Sequence, residues 1–271
     1  MNLTSPTQVK SWCIENGFHP NKTLGQNFLI DRNTLVAIAD AGLEGAAPGE
    51  TVLEVGPGLG VLTEEMLGRG MRVTAIEKDP VLAERLAREF AGEERFSVVA
   101  LDALDRRAEE EAWKPFGKAK RLVSNLPYQA GTRILLNFVL EHELDHMTVL
   151  LQTEVAQRLA AKEGSKMRSL SGTWAQLDYD VKILRNVAAA CFWPRPEIGS
   201  TLVKLSKHSR NASLTPKERE MFRFLTKKAF EHRRKQLGSI FKDMVKSTAR
   251  AESLSNEEWV NLSKGTANEN S

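Results

Sequence analysis

From Val52 the chain alternates short apolar or β-branched runs with stretches of helical periodicity, and this alternation restricts the fold more than any other feature. Thr51-Val52-Leu53-Glu54-Val55 reads as a strand, Leu62 to Arg69 as a helix stopped by Gly70, and Arg72 to Ile76 as the next strand. Asp79 then supplies an N-cap and Pro80 the first helical position for a helix from Val81 to Phe90. Further strands fall at Phe96 to Ala100, Leu122 to Ser124 and Met147 to Leu151. Strand and helix in succession join parallel neighbours by crossovers, so the expected fold class is α/β with a doubly wound sheet.

After Gln152 the pattern changes. A polar helix (Glu154 to Lys162) and a loop (Gly164 to Gly172) precede two strands near Tyr179 to Arg185 and Thr201 to Leu205. Two strands without a full helical crossover predict an antiparallel pair at the sheet edge. Lys207 to Leu214 is polar and reads as a linker; beyond Thr215-Pro216 the period is helical, with helices at Glu218 to Ala229 and Leu237 to Val245 and a frayed end from Gly265 to Ser271. The expected division is an N-terminal segment (1–30), a sheet domain (31–207) and a small all-α domain (208–271).

The 271 residues are 41% hydrophobic, enough for a packed core. The apolar runs are far shorter than the roughly 20 residues that span a bilayer, and no basic-then-apolar leader opens the chain, so a cytoplasmic protein is expected. Cys13 and Cys191 stand far apart and read as packing residues. The five histidines lack ligand spacing, so no metal site is expected. Net charge is +3, yet Lys217 to Lys246 holds ten Lys or Arg against four Asp or Glu, which suggests a polyanion partner or a solvated helix face.

The chemistry-bearing residues gather at successive strand ends. Glu54-Val55-Gly56-Pro57-Gly58-Leu59-Gly60 joins the first strand to the first helix. Its glycines let the backbone turn tightly and bring a ligand to a helix N-terminus. The spacing is GxGxG, whereas a dinucleotide fingerprint needs GxGxxG, which weighs against a nicotinamide oxidoreductase. Glu77, ending the second strand, is placed to accept both hydroxyls of an unphosphorylated ribose. Asp102, past the third, is placed either to accept from an adenine amino group or to cap a helix. The fourth strand ends in Ser124-Asn125-Leu126-Pro127-Tyr128, which alone reads equally well as a turn.

Together with Leu24-Gly25-Gln26-Asn27-Phe28-Leu29, Ala229-Phe230 and Arg233-Arg234-Lys235, these segments resemble the S-adenosylmethionine-dependent ribosomal RNA adenine dimethyltransferases, the small-subunit enzymes above all. The likeness runs from residue 24 to about 241. It implies a Rossmann-like methyltransferase sheet in which Gln26, Asn27, Leu29, Gly56, Gly58, Glu77, Asp102 and Asn125 serve the S-adenosylmethionine site, the segment with Gln26 closing over cofactor and base. Gln129-Ala130-Gly131 stands where the family has Asn-Ile-Ser, and Met167 to Gly172 also departs, which leaves target docking open.

The resemblance implies that Asn125, Pro127, Tyr128 and Phe192 are catalytic. An adenine amine is a poor nucleophile because its lone pair is delocalised. Acceptors aimed at its two protons, the Asn125 side chain and the Leu126 or Pro127 carbonyl, favour a localised lone pair. Tyr128 is expected to stack on the extruded base and Phe192 to face its other side, or else to pack its loop with Trp193. Small Ala130 and Gly131 leave room for a singly methylated amine. Lys227, Lys228, Arg233, Arg234 and Lys235 are expected to grip phosphates. The expected substrate is a pair of adjacent adenines in a small-subunit rRNA hairpin, within a free or immature subunit, taken up by a monomer with a role in ribosome biogenesis.

Overall fold

A computed structural model describes residues 2–141 and 144–269. In chain order it contains α1 (Pro6–Glu15), β1 (Phe28–Leu29), α2 (Arg32–Leu43), β2 (Thr51–Val55), α3 (Val61–Gly68), β3 (Arg72–Glu77), α4 (Pro80–Glu89), β4 (Phe96–Ala100), α5 (Arg106–Trp113), β5 (Arg121–Asn125), α6 (Gly131–Glu141) and β6 (His146–Gln152). There follow α7 (Thr153–Ala160), α8 (Leu170–Asp178), β7 (Tyr179–Val187), β8 (Phe192–Trp193), β9 (Ser200–Lys207), α9 (Pro216–Glu231), α10 (Leu237–Phe241) and α11 (Asn256–Glu269).

Seven strands form one sheet in the order β4-β3-β2-β5-β6-β9-β7. From β4 to β6 all pairings are parallel, and β9 runs antiparallel to β6 with Leu150 opposite Leu202. Every residue of β2 is buried, as is β5 through Ser124. This explains why these strands read as continuous apolar runs without alternation, since a parallel sheet is covered on both faces. Burial of each such Val or Leu contributes about 1.5–3 kcal/mol relative to exposure. The chain winds outward from β2 through β3 to β4, then returns to β5 on the other side of β2. That reversal places a crevice at the carboxyl ends of β2 and β5.

Local signals set the helix starts. Asp79 caps α4 through its bond from the Val81 N–H (3.0 Å), with Pro80 behind it. Thr215 and Glu218 form a capping box on α9, closed by Thr215 N to Glu218 Oε2 at 2.7 Å. Asp105, not Asp102, caps α5.

The chain divides into two compact units, Met1–Thr153 with Lys182–Ser206, and Glu154–Val181 with Lys207–Ser271. The expected boundary at residue 207 differs in one segment: Glu154–Val181 groups with the C-terminal helices. The reason is visible in the second unit's core, where Leu177 and Trp174 pack with Phe222, Leu225, Leu237, Phe241 and Trp259. Two further expectations are corrected. α10 stops at Phe241 and does not reach Val245, and the terminal run read as frayed is helical to Glu269. Asn270 and Ser271 lie outside the described residues.

Candidate active site

At the crevice beside β2 and β5 lies a cavity of about 310 Å³. Ten of the residues singled out from sequence line it: Gln26, Asn27 and Leu29 from the N-terminal segment, Gly56 and Gly58 from the glycine loop, Glu77, Asp102, and Asn125, Pro127 and Tyr128. The strand-end residues meet because β2, β3, β4 and β5 are parallel and in register, Val55 opposite Ile76 and Glu77 opposite Ala100, so their carboxyl ends share one edge; the N-terminal segment joins them through bonds from Gln26 to Asp79 and from Asn125 to Asn27.

The glycine loop holds Gly56, Gly58 and Gly60 at φ of 69°, 60° and 88°. Gly60 caps α3 with no side chain over the helix start, which leaves donors of the first turn available to an anionic group. The Gly58 N–H donates to Glu77 Oε2 (3.1 Å), and Glu77 Oε1 accepts from the Asp79 N–H (2.9 Å). Burial pushes the Glu77 carboxyl up and these donors pull against it. The Lys78 main-chain N–H donates to it as well; a carboxylate offers about four lone-pair sites, so acceptor capacity for a ribose hydroxyl remains. Asp102 Oδ1 accepts from the Leu104 N–H (2.9 Å) and Oδ2 pairs with Lys78 Nζ (2.8 Å). Burial alone raises the Asp102 carboxyl, but Lys78 and the Leu104 donor outweigh it and hold it below its ordinary range.

Asn125 ends β5. Its Nδ2 donates to the Asn27 main-chain oxygen at 3.0 Å, which fixes the amide's orientation. Its Oδ1 is then buried with no hydrogen-bond donor. Such an atom is costly to leave unpaired, by about 1–3 kcal/mol, and marks where an N–H donor belongs. The Pro127 carbonyl, by contrast, already accepts from the Gly131 N–H (2.7 Å) and the Ala130 N–H (3.2 Å) at the start of α6. Of the two main-chain acceptors considered from sequence, Leu126 is therefore the one left for a ligand. The Pro127 ring lies beside Gly56, where a Cβ would stand 3.5 Å from Pro127 Cδ.

Tyr128 is held by its hydroxyl, hydrogen-bonded to Ser200 Oγ on β9; burial pushes its phenol up and that bond pulls the other way. Phe192 takes the second of the two places expected for it, packing its loop. It does not line the cavity; it is 2% exposed, pairs with Leu29 across β1 and β8, and meets Tyr128 edge-on at 6.5 Å between ring centroids. Alternation along the two-residue strand turns Phe192 inward, and Trp193 stacks on Phe28 at 6.4 Å.

Gln26 spends its amide on structure. Its Nε2 donates to Asp79 Oδ2 and its Oε1 accepts from the Asn21 N–H, both at 2.7 Å, so it ties the N-terminal segment to the start of α4. Sequence reasoning missed Glu54, a cavity-lining carboxyl only 2% exposed. Burial raises it to about 8, against the Thr63 hydroxyl at 2.6 Å and with help from Glu77. An acidic residue inside an otherwise apolar strand, directly before the glycine loop, was the available signal.

In the second unit, Lys227 and Lys228 are exposed on α9, and Arg234 and Lys235 follow it in solvent. Arg233 is separated from that set: its Nη2 donates to the Lys166 carbonyl (2.9 Å) and its Nε faces Glu252 at 3.6 Å.

A doubly wound sheet with one antiparallel strand and a cavity at the topological switch defines a Rossmann-like methyltransferase. A dimethyladenosine transferase of Plasmodium falciparum shares the fold, with a TM-score of 0.73 at 20% identity over 86% of this chain and 95% of that one. Residues 17–268 match the family described as ribosomal RNA adenine dimethylase, and the chain belongs to that family. The ribosomal RNA small subunit methyltransferase A of Deinococcus radiodurans is 46% identical over 203 residues, 75% of this chain and 67% of the relative. The protein so named in Mycobacterium avium is 36% identical over 254 residues, 91% of this chain and 78% of the relative. No helix among the described residues is long and apolar enough to cross a membrane.

Proposed function

We propose that this chain transfers methyl groups from S-adenosylmethionine to the exocyclic amines of adenines, two of them adjacent, in a hairpin of small-subunit rRNA, giving dimethyladenosine during ribosome biogenesis. One observation carries the reading: a carboxamide oxygen, buried at the cavity wall, oriented by Asn27 and lacking a donor. An amine with two N–H groups satisfies Asn125 Oδ1 with one and the Leu126 carbonyl with the other. Both acceptors then favour a pyramidal nitrogen whose lone pair is free to attack.

The lining fits the cofactor. The spare capacity on Glu77 suits a ribose hydroxyl, Asp102 suits an adenine amino group, and the open start of α3 suits a carboxylate. S-adenosylmethionine supplies an activated methyl group, so the protein's task is orientation rather than strong base chemistry. Tyr128, steadied by Ser200 and buttressed by Phe192, offers the face on which an extruded base stacks. Gln26 acts by holding the segment that orients Asn125. The names of the curated relatives support the small subunit as the source of the RNA.

The test is transfer of labelled methyl groups onto unmethylated small ribosomal subunits, followed by mapping. Label recovered as dimethyladenosine is expected; label absent, or present only on other bases, refutes the proposal.

A further inference from the structure

α9 presents one aromatic ring to solvent within a field of positive charge. Phe224 is 47% exposed, the one aromatic among the strongly exposed large apolar side chains of the described residues; the others, such as Ile14, Val81 and Ile198, are aliphatic or Met. Its neighbours one turn on are Lys227 and Lys228, both exposed. Lys228 Nζ lies 5.6 Å from the Phe224 ring centroid and 5.7 Å from that of buried Phe241, so the ammonium is held between a core ring and a surface ring. From Arg223 to Lys235 six basic residues stand against a single acidic one, Glu231.

Leaving such a ring in water forgoes the burial that α9 gives Phe222 and Leu225 on its other face. A lone ring does not make an apolar patch large enough for a protein partner. The surrounding charge selects a polyanion, and an aromatic face with cations at its edge matches a nucleotide, whose base stacks while its phosphates meet the ammonium groups. A duplex hides its base faces in its own stack, so the matching ligand is single-stranded.

We infer that Phe224 is a stacking platform for an unpaired base of bound RNA, with Lys227 and Lys228 on the flanking phosphates. This site is separate from the cavity that takes the reacting base. The inference rests on the proposed RNA substrate and adds to it where the second unit reads single-strandedness.

The test measures binding of a short unstructured RNA, and of the same length as duplex, to the full chain and to Phe224→Tyr, Phe224→Leu and Lys227→Gln/Lys228→Gln variants across a salt series. Stacking predicts that Phe224→Leu loses about 5- to 150-fold for the single strand. Its salt slope stays unchanged, because stacking releases no counterions. Phe224→Tyr retains affinity, the duplex shows no Phe224 dependence, and the double Lys variant flattens the slope. Phe224 is exposed, so folding is preserved, and an unchanged thermal transition verifies it. Equal binding by Phe224→Leu and wild type overturns the inference and points to an apolar protein contact or none. Failure of the wild-type chain to bind either RNA overturns the RNA reading itself.

Discussion

Gly25 is the position where a single methyl group best tests how the N-terminal segment governs the active site. Its φ is +67°, a left-handed conformation that costs an alanine about 1–2 kcal/mol. A Cβ there would stand 3.0 Å from the Tyr128 main-chain nitrogen and 3.4 Å from that of Gln129, where ordinary contact begins at 3.4 Å. Backbone atoms cannot rotate away, so Gly25→Ala forces the segment and the Leu126–Gln129 turn apart by about 0.4 Å or more. That displacement strikes the Asn27 carbonyl that holds the Asn125 amide. Gly17 supplies the control: its φ is +60° with nothing within 4 Å of an added Cβ, so Gly17→Ala has the backbone cost alone. Thermal unfolding and single-turnover methyl transfer measured side by side should separate the two effects. Both variants lower the melting temperature, by about 2–4 °C per kcal/mol. Gly25→Ala alone also loses transfer rate, by at least about tenfold, as misplaced catalytic groups do. Wild-type turnover by Gly25→Ala would refute the idea that this segment positions Asn125.

Glu54 predicts a pH effect. Its carboxyl is near 8 in the folded chain against about 4.5 unfolded, so its stabilising share is complete below pH 4.5 and is lost as pH rises through 8, at about 1.4 kcal/mol per unit. Glu54→Gln, which can still accept from Thr63, should match wild type in unfolding free energy at pH 5 and exceed it at pH 8; the same difference at both pH values contradicts this. Charge reversal at Arg234 and Lys235 should weaken RNA binding and flatten its salt dependence while cofactor affinity persists. Equal loss of both affinities counts against the assignment of RNA binding to this basic run. Reversal at Arg233 should lower stability as well, because its guanidinium is tied to Lys166 and Glu252.

The parallel half of the fold was legible because each strand end carries its own signal: glycines after Val55, a carboxylate at Glu77, Asp102, then Asn125 and Pro127. Parallel register turns that sequence order into spatial adjacency, so the strand-end wall of the cavity followed from the strands, while Gln26, Asn27 and Leu29 entered through the family resemblance. What sequence hid depends on contacts between distant segments. Nothing in Phe28-Leu29 or Phe192-Trp193 announces that they pair, yet that pairing carries Phe192 into the core and away from the cavity. The role of Gln26 lies in a bond to Asp79, 53 positions on. Arg233 reads as one of a basic trio until Lys166 and Glu252 are brought beside it. The grouping of Glu154–Val181 with the C-terminal helices is of the same kind, for Leu177 and Trp174 look like any apolar residues until their core is known.

The central claim is that the Asn125 carboxamide, aimed by Asn27, makes the adenine amine reactive. Single-turnover methyl transfer by Asn125→Ala, at saturating cofactor and with unmethylated small subunits, tests it most directly. The expected rate is lower by about 10²–10³-fold, the cost of removing one preorganised hydrogen-bonding group from a transition state. Transfer at the wild-type rate would contradict it.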